Sequence, residues 1–132
     1  MDTPRTPDPG GGAPSDDLVA DVFARDCTSR AVLEDVATKW GSLALMALGE
    51  GDHRFNELRR RVDGISEKML AQTLQSLERD GLVDREVVTA IPPRVRYSLT
   101  PLGGEVAVRL RDLADLLERS VPALAAARAA RR

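Results

Sequence analysis

The feature that most constrains this chain is the stretch from Arg54 to Asp80, RFNELRRRVDGISEKMLAQTLQSLERD. It holds two short amphipathic patterns separated by one helix-breaking pair. In the first, Phe55, Leu58 and Val62 recur at i, i+3 and i+7, the spacing of a single helical face. Glu57, Arg59, Arg60 and Arg61 point elsewhere. Asp63-Gly64 ends the helix, because Gly accepts the left-handed backbone of a C-terminal cap. Ile65 is an apolar anchor at the turn. The Ser66 hydroxyl suits an N-cap, and Glu67 takes the first-turn position that the helix dipole favours. The second pattern buries Met69, Leu70, Leu74 and Leu77 along one stripe. Its other face shows Lys68, Ala71, Gln72, Gln75 and Ser76.

That polar face has the composition of a helix laid in the major groove of DNA. Gln matches an adenine edge, Lys a guanine edge or a phosphate, and Ser a phosphate or a base. Ala71 lets the backbone come close, and the acids Glu67, Glu78 and Asp80 sit at the helix ends. Taken alone, such a face serves only to meet water. Its flanks carry the argument further.

The chain has 132 residues, of which 42% are hydrophobic, enough for one small core. It lacks an apolar run of membrane-spanning length and an N-terminal signal pattern, so no membrane partner and a cytoplasmic location are expected. One cysteine rules out an intramolecular disulfide framework. The net charge of −2 argues against nucleic acid until its distribution is considered. Residues 1–37 carry Arg5, Arg25 and Arg30 against Asp2, Asp8, Asp16, Asp17, Asp21, Asp26, Glu34 and Asp35. Residues 52–100 hold one more cation than carboxylates. The acidity therefore lies mostly outside the helical pair, which is itself only weakly basic.

Along the chain, the Pro/Gly/Asp-rich residues 1–17 read as a disordered tail. Leu18 to Ala24 suggests a helical turn. Thr28 or Ser29 is placed to cap a helix carrying Val32, Leu33 and Val36. Lys39-Trp40 opens an apolar core helix with Leu43, Leu45, Met46 and Leu48, ended by Gly49-Glu50-Gly51. Lone His53 has no metal-ligand partner and reads as a surface or strand-end residue. Leu82 to Val88 is strand-like, and residues 89–93 form a loop held extended by Pro92-Pro93. Arg94 to Leu99 then alternates, with Val95, Tyr97 and Leu99 on one face and Arg94, Arg96 and Ser98 on the other. A hairpin after two such helices is a wing, with Arg94 within reach of a phosphate or a minor groove. Thr100-Pro101 is a helix start. Leu102, Val106, Leu110, Leu113 and Leu117 form a seam that so small a domain lacks the surface to cover, so a second subunit is expected there. Residues 121–132 read as an Ala/Arg-rich tail or short helix.

Several motifs together carry a resemblance: Lys39-Trp40; Arg54-Phe55-Asn56-Glu57-Leu58-Arg59-Arg60; Gly64 to Leu70; Leu77 to Val83; and Pro92 to Thr100. With these residues the chain resembles the HxlR-type transcriptional regulators, a winged-helix family of the MarR-like group, from about Cys27 to Glu118. The resemblance implies an α+β, mostly helical fold: a winged helix-turn-helix over residues 18–120 with a two-stranded β-wing and a dimerisation helix at about 101–120. It also implies a homodimer on a palindromic operator, repressor-like action on a nearby operon, no cofactor, no metal and no enzymatic activity. Ser66, Lys68, Gln72 and Gln75 would contact DNA from the reading helix, with Arg59 beside it and Arg94 and Arg96 on the wing.

The chain departs from the family pattern at three places. Ala37-Thr38 replaces Gly-Gly, Arg96 stands where Glu is usual, and Cys27-Thr28 replaces Cys-Pro. Some relatives sense oxidants or electrophiles through that cysteine, which makes Cys27 a candidate redox site. Its neighbour Asp26 is expected to raise the thiol pKa. A small-molecule effector in a dimer cleft is left open. The alternative function is a winged helix used as a protein-interaction module without DNA binding. Catalysis is not expected, since no phosphate loop, metal-spaced ligand set or nucleophile–base pair is present.

Overall fold

A computed structural model describes residues 21–131; the expected disordered tail at 1–17, and residues 18–20 of the suggested first turn, lie outside the described residues. The described residues fall into two compact units, one ending at Ala37 and one beginning at Thr38.

In the first unit a turn, closed by the Ala24 N–H donating to the Asp21 carbonyl, leads into α1 (Thr28–Val36). The N-cap of α1 is Cys27, one or two residues earlier than expected, and Thr28 and Ser29 both lie inside the helix. Val36 is buried, whereas Leu33 of the expected apolar set is half exposed.

The second unit begins with α2 (Lys39–Gly49), capped by Thr38, whose hydroxyl accepts from the Gly41 N–H at 2.9 Å. Leu45 and Leu48 are buried, Met46 is partly covered, and Leu43 lies at the rim. Strand β1 (His53–Arg54), the short helix α3 (Phe55–Arg61) and α4 (Glu67–Arg79) follow. Between α3 and α4 the backbone turns at Gly64, whose φ of 90° is open to glycine and strained for residues with a Cβ. Leu58, Val62, Ile65, Leu70, Leu74 and Leu77 are all buried, and α3 and α4 both pack against α2. Met69 departs from expectation. It is 38% exposed, because it sits at the edge of the stripe that Leu70, Leu74 and Leu77 fill.

The sheet has three strands, in the order β1-β3-β2, rather than the two of the expected wing. Strand β2 (Val83–Ala90) pairs antiparallel with β3 (Pro93–Leu99), and β3 pairs on its other edge with β1. The loop expected at residues 89–93 is also shorter. Thr89 pairs with Arg94 and Ala90 with Pro93, leaving a turn at Ile91-Pro92. Pro93 is tolerated because it stands at the first position of its strand.

Helix α5 (Pro101–Arg119) starts at Thr100, with Pro at its first position. The Thr100 hydroxyl accepts from the Gly103 N–H at 3.0 Å and donates to the Gly81 carbonyl at 2.7 Å, tying α5 to the end of α4. The buried side of α5 is made by Gly103 and Ala107, not by its leucines. A Cβ on Gly103 would collide with the Leu82 backbone carbonyl, and one on Gly49 of α2 would meet Ala107 at 3.4 Å. Small residues thus let α5 press closely on the loop after α4 and on α2. After Ser120 the chain continues as α6 (Val121–Ala130), so the expected Ala/Arg-rich tail is helical through Ala130.

Candidate nucleic-acid interface

The expected reading residues all lie on the outer side of α4. Lys68, Gln72 and Gln75 are exposed, while Leu70, Leu74 and Leu77 anchor the opposite side with almost no exposure. That division fixes the helix in rotation, since turning it would expose three leucines. Ser66 is exposed at the N-terminus, and its hydroxyl accepts from the Met69 N–H at 3.0 Å, so it is committed first to capping. Arg59 projects from α3 toward the start of α4, 4.0 Å from Glu67. Among the described residues Lys68 takes part in no ion pair, which leaves its ammonium available to an external acceptor.

Arg94 and Arg96 are exposed on β3, and the alternate residues Val95, Tyr97 and Leu99 are half-buried. The far end of the hairpin is solvated on both faces, with Val87, Val88 and Ile91 exposed. It therefore projects from the body as a two-stranded arm.

Three groups of charges brace the surface of this scaffold. The Glu57 carboxylate accepts the Arg54 backbone N–H at 2.7 Å and closes the start of α3, and that bond holds its pKa below the usual carboxylate range. Glu50, just past α2, receives both ends of the Arg61 guanidinium at 2.7 and 2.6 Å. This fork lowers the Glu50 pKa and raises that of Arg61. On α5, Arg111 is bound by Asp115 and Glu118, each at 2.9 Å. Linear spacing does not distinguish Arg61 and Arg111, with their carboxylate partners, from other surface arginines.

The expected dimerisation residues are not equivalent in the isolated chain. Leu102, Leu113 and Leu117 are exposed, while Val106 and Leu110 are partly covered. Leu116, Val121 and Leu124, absent from the expected seam, are also exposed and extend the apolar surface into α6.

Cys27 is 2% exposed, and its Sγ lies 2.8 Å from the Ser29 hydroxyl. That bond is the main reason its pKa falls below the ordinary thiol value, with burial and the Asp21 charge opposing it. The acid that acts on it is therefore Asp21 rather than the expected Asp26. Among the described residues no three His, Cys, Asp or Glu side chains are grouped to hold a metal, and no helix is long and apolar enough to cross a membrane.

A helix–turn–helix with an exposed Gln/Lys face, followed by a projecting hairpin, defines a winged-helix DNA-binding protein. Comparison with known proteins narrows the class. Residues 35–124 match the model of the HxlR-like helix-turn-helix family. The HTH-type transcriptional regulator YtfH of Escherichia coli is 51% identical over 107 residues, covering 81% of this chain and 85% of that protein. The solved structure of the transcriptional regulator ytfH from Salmonella typhimurium has 50% identity and a TM-score of 0.75, covering 82% of this chain and 96% of that one. The redox regulator HypR in its reduced form has 33% identity and a TM-score of 0.68, covering 74% and 97%. The chain belongs to the HxlR-like helix-turn-helix family and is a DNA-binding transcriptional regulator.

Proposed function

We propose that the protein works as a homodimer on a palindromic operator, with one α4 of each subunit in successive major grooves and the hairpins on the flanking backbone. The observation that carries this is the face of α4: Lys68, Gln72 and Gln75 stand exposed on a helix whose other side is fully buried. The exposed apolar residues of α5 and α6 support the second subunit, since they leave a surface that a partner helix would cover. On this reading it represses a nearby operon by occupying an operator that overlaps the promoter, in the cytoplasm and without a cofactor. The test is a gel shift against the DNA upstream of its own gene, repeated from 50 to 200 mM salt. The expected result is a shifted band that weakens by about 10³-fold or more over that range, as multiple phosphate contacts demand. A protein-interaction module would give no salt-sensitive shift.

We further propose that Cys27 is the group through which an oxidant acts. A relative, HypR, is a redox regulator of known structure in both reduced and oxidised forms. In this chain the Ser29 hydroxyl favours the thiolate. With one cysteine per chain, two Cys27 thiols would give up two protons and two electrons to an oxidant such as diamide and join as an intersubunit disulfide. Because Cys27 is 2% exposed, its thiol has to become accessible before the bond can form. Non-reducing electrophoresis after diamide should show a dimer band that Cys27→Ser abolishes.

A further inference from the structure

A cleft of about 360 Å³ lies at the base of the hairpin, lined by Asp52, His53, Arg54, Glu57, Val88, Arg94 and Arg96. Strand register places Arg54 of β1 directly opposite Arg96 of β3. Residues directly opposite share a face of the sheet, where like charges repel. Arg94, two residues before Arg96 on the same strand, joins that face by the alternation of side chains.

Among the described residues no carboxylate closes on these guanidinium groups, although Asp52 and Glu57 line the same cleft. Among the described residues neither Arg94 nor Arg96 makes an ion pair or a side-chain hydrogen bond, although Glu86 faces Arg96 across β2. Arg54 approaches only Glu57, at 4.0 Å. Arg61 and Arg111, by contrast, are each held by carboxylates at under 3 Å. Of the acids in the cleft, Glu57 is committed to the backbone at the start of α3, which leaves Asp52.

We propose that this cleft is a second phosphate-binding site, in which Arg54 and Arg96, with Arg94 at its outer edge, hold the DNA backbone at the root of the wing. The proposal rests on the DNA-binding reading above and adds Arg54 to it. A phosphate is the fitting ligand because guanidinium forks match its oxygens in pairs, and because an anion removes the repulsion between the opposed arginines. A contact of this kind sets the register of the protein on the duplex without reading sequence.

The test measures binding to a random-sequence duplex of about 30 base pairs by fluorescence anisotropy across a salt series. Arg54→Gln and Arg96→Gln should each reduce the slope of log affinity against log salt by about 0.9, the share of one phosphate. Both should weaken random and operator DNA by the same factor. Arg96→Lys should keep the slope, and Arg109→Gln on α5 should change nothing. Thermal melts matching wild type show that the variants are folded. Wild-type slopes in Arg54→Gln and Arg96→Gln overturn the site and leave the DNA-binding reading intact. A wild-type protein with no salt-sensitive duplex binding overturns both.

Discussion

Helices α4 and α5 solve the same problem in opposite ways. In α4, 13 residues long, the apolar stripe is finished within one chain: Leu70, Leu74 and Leu77 are at most 2% exposed. In α5, 19 residues long, only Gly103 and Ala107 are buried. Leu102, Leu113, Leu116 and Leu117 remain 45 to 55% exposed. The lesson is that the polar side of α4 is outward because its apolar side is satisfied. The apolar side of α5 is outward because its close packing was done by small residues instead. One surface offers polar groups to a ligand, and the other leaves apolar side chains that the proposed second subunit would cover.

Removing packing from the finished helix should have the largest effect. Leu74→Ala deletes a fully enclosed side chain, and core truncations of this type cost about 2–5 kcal/mol. A thermal or urea melt should show most of the domain's stability gone. The equivalent change on the unfinished helix, Leu113→Asp with Leu117→Asp, should leave the melt of each subunit near its starting point. It should convert dimer to monomer in light scattering and weaken operator binding by about 10²-fold or more, since the second half-site is no longer tethered. If that pair instead unfolds the chain, α5 is part of the single-subunit core and the contrast fails.

Smaller changes sharpen the boundary between the helices. Thr100→Ala removes the hydroxyl that caps α5 and bonds Gly81 at the end of α4, and should cost about 1 kcal/mol. The Glu50–Arg61 fork beneath α2 and α3 gives a pH signature. The folded-state pKa of Glu50 is depressed, so its stabilisation is fully present above the ordinary glutamate range and is lost as pH falls through the lower folded value. Glu50→Gln should remove that part of the acid-side loss. The effect should be small, because the pair is about half exposed and screened by solvent.

Much of this architecture was legible in the chain. The apolar spacing of Leu70, Leu74 and Leu77, the Gly64 turn and the Ser66, Thr100 and Pro101 start signals are local, and local chemistry decided them. Non-local pairings were not legible. The two residues of β1 have no strand pattern of their own and form only because β3 offers an open edge. The cap of α1 fell on Cys27 although two better hydroxyl caps follow it. The closest packing of α5 came from Gly103 and Ala107, small residues that a search for leucine spacing passes over. The opposition of Arg54 and Arg96 likewise exists only once the register of β1 against β3 is set.

A hydroxyl-radical footprint on an operator selected from random duplexes reads the placement of both α4 helices at once. Two protected patches about one helical turn apart are expected, both weakened by Lys68→Ala with Gln72→Ala and both lost in the Leu113→Asp, Leu117→Asp protein. A single patch, or two that persist undiminished in the Lys68→Ala, Gln72→Ala protein, would contradict that placement.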